Sequence, residues 1–366
     1  MARQTAIPCL LMRGGTSKGP YFLASDLPSD PALRDRVLLA VMGSPDPRQI
    51  DGLGGAEPLT SKVAIVSKSE RPGVDVDYLF AQVVVDKPLV DVSPNCGNML
   101  AGVGPFAIER GLVAARDPAT RVAIYMVNTG NLAVATVQTP GGVVRYDGPA
   151  AIAGTPGSAA PINIDFLDTA GSVCESLLPT GRARDRVEGI DVTCVDNGMP
   201  VVVIPAAALG KTGYEKPADL DADKEFKARL EKVRLAAGQL MGLGDVTSKV
   251  VPKMTLIAPP QAGGHVCTRT FIPHRCHAAI GVLGAVSVAT ACAMPGSVAQ
   301  GIARPASGSP LLFSVEHPTG EFTVQLEVEG SGADFKVGRS GILRTARALM
   351  DGQALVPHAV WDGSRA

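Results

Sequence analysis

Three copies of Thr-Ser-Lys stand in the 366-residue chain, at 16–18, 60–62 and 247–249. Lys62 opens "SKVAIV", an apolar run that reads as a buried strand. A lysine at the mouth of such a strand loses solvent, which disfavours the ammonium and turns the amine into a base. Cys96 stands in "SPNCGNML", an Asn-Gly turn that opens an apolar helix. A helix N-terminus carries unpaired N–H groups and partial positive charge, so it attracts carboxylates and favours a thiolate. Lys62 and Cys96 are therefore the expected catalytic pair, a base and a second proton carrier. Asn95, Gly97, Asn98 and Met99 would present the helix terminus to an anion, with Ser61 beside the lysine. The opening "MRGGTSKG" adds Arg13, Gly15, Thr16 and Ser17, a cation and two hydroxyls on a Gly-permitted turn suited to carboxylates. Arg48 in "SPDPRQIDGLGG" and Arg275 are further anion-binding candidates, whereas Asp51 stabilises its own turn.

Other chemistries fit less well. "MRGGTSKG" lacks the GxxxxGK[ST] order of a phosphate loop and runs into "PYFLA", a strand rather than a helix. His265, Cys267, His274, Cys276 and His277 are of the types that bind zinc, yet their spacing matches no usual zinc pattern, and "VCTRTFI" reads as a strand. No metal and no cofactor are expected. A hydrolase with Cys96 as nucleophile and His277 as base lacks a nameable orienting third residue. A non-catalytic polycarboxylate binder would use the same helix termini. A net charge of −1 leaves no electrostatic footprint for nucleic acid or an anionic membrane. Seven cysteines without CxxC spacing argue for free thiols in a reducing cytoplasm. The apolar run from Ala278 to Met294 is dotted with Gly, Ser and Thr and reads as a buried helix, not a membrane span. The partner implied is a small polycarboxylate, and the sequence leaves a homodimer open.

The elements that must position these groups come in two similar sets. Segment 38–66 faces 234–258, placing Ser248 and Lys249 on Ser61 and Lys62. Segment 95–107 faces 275–287, placing Cys276 on Cys96 and Gly284 on Gly104 and adding His277 as a cleft donor. Segment 128–137 faces 318–328, each a Gly turn entering an alternating strand, and 13–28 corresponds to 196–210. Lys62 ranks above Lys249 because Cys96 lies in its half. Each half predicts short strands around one helix, Asn98 to Arg110 or Ala278 to Ala293, apolar nearly all round and hence enclosed. Amphipathic helices are expected at 31–43, 221–242 and 340–352, and a Gly-, Pro- and Ser-rich crossover at 154–189. The division expected is 1–185, completed by 345–366, and 186–344.

"MRGGTSKG", "GSPDPRQIDGLGGA", "LTSKVAIV", "VDYLFAQV" and "NCGNMLAGVGPFA" together resemble the PrpF family of isomerases. The resemblance implies an α+β, diaminopimelate epimerase-like fold: two pseudo-symmetric β-barrel-like halves, each wrapped around a central apolar helix, with the active site between them. It places the family's catalytic lysine on Lys62 and its cysteine on Cys96. Members isomerise 2-methylaconitate in propionate catabolism, or 4-oxalomesaconate in the degradation of aromatic acids such as gallate and protocatechuate. The first half is closest to the 4-oxalomesaconate group, since "SPDPRQIDG" is shorter than the form associated with 2-methylaconitate enzymes. The implied activity is a cofactor-independent tautomerase or isomerase. Cys276-His277-Ala278 departs from the Cys-Gly-Thr-Gly of true diaminopimelate epimerases, which argues against symmetric two-thiol chemistry.

Overall fold

The computed structural model describes residues 4–93, 95–167, 169–330 and 334–364. The chain divides into two compact units, Met1–Ile164 with Leu343–Ala366, and Asp165–Ile342. The first contains β1 (Gln4–Gly14), β2 (Ser17–Leu23), α1 (Pro31–Met42), β3 (Lys62–Lys68), β4 (Val76–Val83), β5 (Val90–Asp91), α2 (Gly97–Glu109), β6 (Ala119–Met126) and β7 (Asn131–Gln138). β8 (Ile162–Phe166) leads into the second, which holds β9 (Asp185–Val187), β10 (Ile190–Asp196), β11 (Pro200–Pro205), α3 (Pro217–Ala222), α4 (Lys224–Leu240) and β12 (Lys253–Ala258). It continues with β13 (Val266–Phe271), α5 (Val282–Ala293), β14 (Leu311–His317), β15 (Gly320–Glu329) and β16 (Lys336–Arg344), before β17 (Ala346–Pro357) returns to the first unit.

The repeat is visible in the strand pairing. In the first unit β1–β2 is antiparallel, β2–β3 parallel, β3–β4 antiparallel, β4–β6 parallel and β6–β7 antiparallel. In the second, β10 to β15 follow the same alternation, antiparallel and parallel by turns. The long apolar helix interrupts both series at the same place, α2 before β6 and α5 before β14. Met99 through Ala107 of α2 and Gly284 through Ala291 of α5 are all buried. A helix without a polar face is stable only when enclosed on every side. Accordingly α2 packs against β1, β2, β3, β4, β6, β7 and β17, and α5 against β10, β11, β14 and β15. No helix among the described residues is long and apolar enough to cross a membrane.

Four sequence expectations are corrected. Segment 340–352 is strand, the end of β16 and the start of β17. β17 pairs antiparallel with β1 from Gln4↔Pro357 to Gly14↔Ala346, and this ladder outweighs a weak helical period. Helix 221–242 is broken at Asp223, whose extended backbone and side chain, accepting from Phe226 N–H, cap α4. α5 begins at Val282 rather than Ala278, because the preceding residues fold back on β13: His277 N–H donates to Thr270 O at 2.8 Å, and Ile272 N–H to Arg275 O at 2.9 Å. Finally, residues 165–185 belong to the second unit, where the Asp165 carboxylate is held by Arg339.

Candidate active site

In the first unit, β3 and β4 present alternate residues to one face. Lys62 pairs with Gln82, Ala64 with Phe80 and Val66 with Tyr78. Lys62 Nζ lies over the Phe80 ring, 5.2 Å from its centroid, and 3.4 Å from Cys96 Sγ. Nζ and Sγ are thus within hydrogen-bond distance, close enough to pass a proton.

Several groups hold this pair. Ser61 is fully buried; its hydroxyl donates to Val83 O at 2.8 Å and accepts from Gln49 Nε2 at 2.6 Å. Gln49 Nε2 also reaches Ser44 Oγ at 3.1 Å, and its Oε1 accepts from Ala56 N–H at 2.9 Å. Gln82 Nε2 donates to Ser61 O at 2.8 Å. Gly19 of β2 lets the backbone close on β3: a Cβ there would overlap the Lys62 carbonyl.

Cys96 is the N-cap of α2 and is 7% exposed. Its N–H donates to Asn95 Oδ1 at 2.8 Å, while its carbonyl accepts from Leu100 N–H at 2.9 Å and from the Tyr78 hydroxyl at 3.3 Å. Among the described residues no side chain caps the helix. The N–H groups of Gly97, Asn98 and Met99 are therefore free of side-chain acceptors, a ready anion site. Ser17 supplies a second, independent sign of a ligand. It alternates with Gly19 and Tyr21 on the face of β2 turned to α2, where Tyr21 donates to Met99 O at 2.6 Å. Ser17 is 1% exposed and its hydroxyl has no hydrogen-bond partner among the described residues. A buried hydroxyl in that state is costly unless something fills its bond. Thr16 Oγ1 accepts from Asn98 Nδ2 at 2.9 Å, and Gly15, at φ 51°, lies against the Asn98 side chain.

Residues 4–357 match the family model described as PrpF protein. The chain belongs to the PrpF family. It is 64% identical over 349 residues to a (4E)-oxalomesaconate Delta-isomerase of Novosphingobium sp. (strain KA1), spanning 95% of this chain and 97% of that protein. It is 59% identical over 360 residues to a 4-oxalomesaconate tautomerase of Pseudomonas putida (strain KT2440), spanning 98% and 99%. Among solved structures, methylitaconate-delta-isomerase superposes with a TM-score of 0.83 at 35% identity, covering 98% of this chain and 97% of the other. The fold is diaminopimelate epimerase-like, and the protein is an isomerase.

In this PrpF-family chain the second unit does not repeat the pair. Ser248 and Lys249 are exposed in the loop before β12, where Lys249 Nζ donates to Leu243 O at 2.7 Å. The loop is tied by fully buried Arg234, whose guanidinium reaches the carbonyls of Val246 and Lys249 and pairs with Glu231. The residue that opens β12, third in the β10–β15 series as β3 is third in the first unit, is Lys253: Val203 pairs with Thr255 as Tyr21 pairs with Ala64. Burial brings the Lys253 amine down to about 8. The N-cap of α5 is Gly281, so Cys276 is not the counterpart of Cys96. Cys276 bridges back to Phe271, and burial, reinforced by Asp221, pushes its thiol up to about 12. Arg275 and His277 are exposed, and the His277 ring accepts from Ala279 N–H at 2.9 Å.

Two candidates in the first unit also stand apart from Lys62 and Cys96. Arg48 is exposed, and the buried group of "PDPRQIDG" is Gln49. Arg13 occupies the face of β1 opposite Gly14, which lies on α2; its NH1 donates to Gly15 O and to the carbonyl and hydroxyl of Thr345. Sequence reasoning missed Gln49, Tyr78, Phe80 and Lys253. The period-2 spacing of Tyr78, Phe80 and Gln82 was the available signal for two of them.

Proposed function

We propose that this enzyme moves a proton and a double bond within an unsaturated tricarboxylate, and that its substrate is 4-oxalomesaconate. The observation that carries the reading is the 3.4 Å approach of Lys62 Nζ to Cys96 Sγ at a helix N-terminus that no side chain caps. A substrate carboxylate docks on the N–H groups of Gly97, Asn98 and Met99, and the Ser17 hydroxyl donates to it. The Nζ lone pair of Lys62 takes a carbon-bound proton made acidic by the adjacent keto or unsaturated carboxyl group. The electron pair spreads into the conjugated system as a dienolate, stabilised by the helix N–H donors. Cys96 delivers its proton at another atom of that system, and the Lys62 ammonium reprotonates the sulfur across the 3.4 Å contact. Composition is unchanged and the double bond has moved. The activities of the two oxalomesaconate relatives support the choice of substrate. Seven free cysteines accord with a reducing cytoplasm as its compartment.

The test is proton NMR in D2O with 4-oxalomesaconate and 2-methylaconitate offered separately to wild type and Lys62→Ala. Deuterium entry and a shifted double bond in 4-oxalomesaconate are expected, slowed about 10²- to 10⁴-fold in the variant. Exchange confined to 2-methylaconitate overturns the substrate, and binding without exchange in either overturns the isomerisation chemistry.

A further inference from the structure

The two elements that carry Lys62 and Cys96 lead to a second cavity at their far ends. β3 runs from Lys62 to Lys68, and α2 runs from its N-cap Cys96 to Glu109, just before Leu112. Seven strand residues and thirteen helical ones each cover about 20 Å, so the cavity lies about that far from the Lys62–Cys96 contact. It has a volume of about 320 Å³, and Lys68, Arg116 and Arg121 line it. Lys62, Cys96, Thr16 and Ser17 do not. Lys68 Nζ donates to Leu112 O at 3.1 Å, which leaves two of its hydrogens free. Among the described residues, neither guanidinium has a hydrogen bond or an ion pair. The main chain of Arg116 is nevertheless held fast. Its N–H donates to Thr120 Oγ1 at 2.8 Å, its carbonyl accepts from Thr139 Oγ1 at 2.6 Å, and both threonines are buried. The one acid on the lining, Asp75, already accepts from Ala123 N–H at 2.8 Å. Asp117, next to Arg116, accepts from Gly141 N–H at 2.8 Å. Three cations against one carboxylate leave two positive charges on the lining without a counter-ion.

We propose that this cavity is an anion site remote from the Lys62–Cys96 pair, and that it takes a phosphate dianion, either free or as the head of a small phosphomonoester. Charge decides between the oxyanions. A single carboxylate would neutralise one of the two surplus charges, whereas a phosphomonoester, whose second pKa is about 6, carries both at neutral pH. Shape agrees with charge: each planar guanidinium can hold two phosphate oxygens, and the lysine ammonium adds a point charge. The volume stands at the bottom of the range for small-molecule pockets, about 300–1,000 Å³, which suits a phosphate head better than a nucleotide. Anchoring of Arg116 through Thr120 and Thr139 places its side chain before any ligand arrives, which lowers the ordering cost of binding.

The experiment is isothermal titration at about pH 8, where the dianion prevails. Inorganic phosphate, glycerol phosphate and tricarballylate, a saturated tricarboxylate, are titrated separately into wild type, Arg116→Gln and Arg121→Gln. Both arginines are exposed, so both variants should unfold and isomerise as wild type does, which separates loss of the site from loss of the fold. Phosphate-type binding is expected to weaken about 10- to 100-fold in each variant, the loss of one charge-assisted contact, and to fade with added salt. Glycerol phosphate binding tighter than inorganic phosphate assigns the site to a phosphomonoester, and the reverse order assigns it to the free ion. Binding by both phosphates that is unchanged in Arg116→Gln and Arg121→Gln overturns the site, as does wild-type binding no tighter than about 10 mM. Tricarballylate binding as tightly as the phosphates at the Arg116-dependent site overturns the phosphate assignment.

Discussion

Replacing Gly19 by alanine tests the packing that holds Lys62, the base of the proposed reaction. The new Cβ would overlap the Lys62 carbonyl, with Met99 Cε 3.4 Å away, so the atom that must yield is backbone. Overpacking costs about 1–3 kcal/mol, and a clash with backbone belongs at the upper end. At about 2–4 °C per kcal/mol for a unit of this size, thermal unfolding of the first unit should fall by roughly 6–12 °C. β3 can relieve the overlap only by moving Lys62, and a displacement near 1 Å at a reacting group costs about 100-fold in turnover. Calorimetry and initial rates on Gly19→Ala should therefore show both losses together. Gly352→Ala is the matched control, since a Cβ there meets nothing within 4 Å. If Gly19→Ala unfolds within about 1 °C of wild type and turns over within about twofold of it, the close approach of β2 to Lys62 does not position the base.

Gln49→Ala removes the buried donor to Ser61 Oγ and the acceptor of Ala56 N–H in a half-buried bond. Denaturant unfolding should report a loss of about 2–3 kcal/mol, and kcat should fall as Ser61 loosens beside Lys62. Lys253 titrates near 8 in the fold and at its ordinary 10.5 when unfolded, so between those values the unfolded chain binds more protons. Stability should then rise from pH 8 to 10.5, by at most about 3 kcal/mol, and Lys253→Met should flatten that rise while raising stability below pH 8. A profile with the same slope in the variant assigns the effect to other groups.

The approach of Lys62 to Cys96 was legible because its signals are local. A lysine at the head of an apolar run and a cysteine in an Asn-Gly turn before an apolar helix both specify their place along the chain. The enclosed helices were legible for the same reason: α2 lacks a polar face, and that alone requires walls around it. The repeat was harder to read in register. Matching the string Thr-Ser-Lys selected Lys249, yet the strand starts four residues later at Lys253, because the intervening loop serves Arg234 rather than a site. Cys276 misled similarly, since a thiol in a plausible motif says nothing about the backbone bonds that fold it onto β13. β17 was illegible as a strand because most of its residues are exposed and its partner β1 is more than 300 positions away. Gln49 was hidden by Arg48, whose charge drew the chemical reading although its neighbour carries the buried contacts.

The ladder between β1 and β17 sets the order in which the chain can be completed on the ribosome. β1 is made before the second unit, but its partner is made only after the whole of Asp165–Ile342. Throughout that interval one edge of β1 offers bare N–H and C=O groups to any passing strand, while the second unit has everything it needs to fold. Chaperone demand should therefore peak before residue 343 appears, and messages truncated upstream of β17 should yield aggregates built from the first unit around a soundly folded second one.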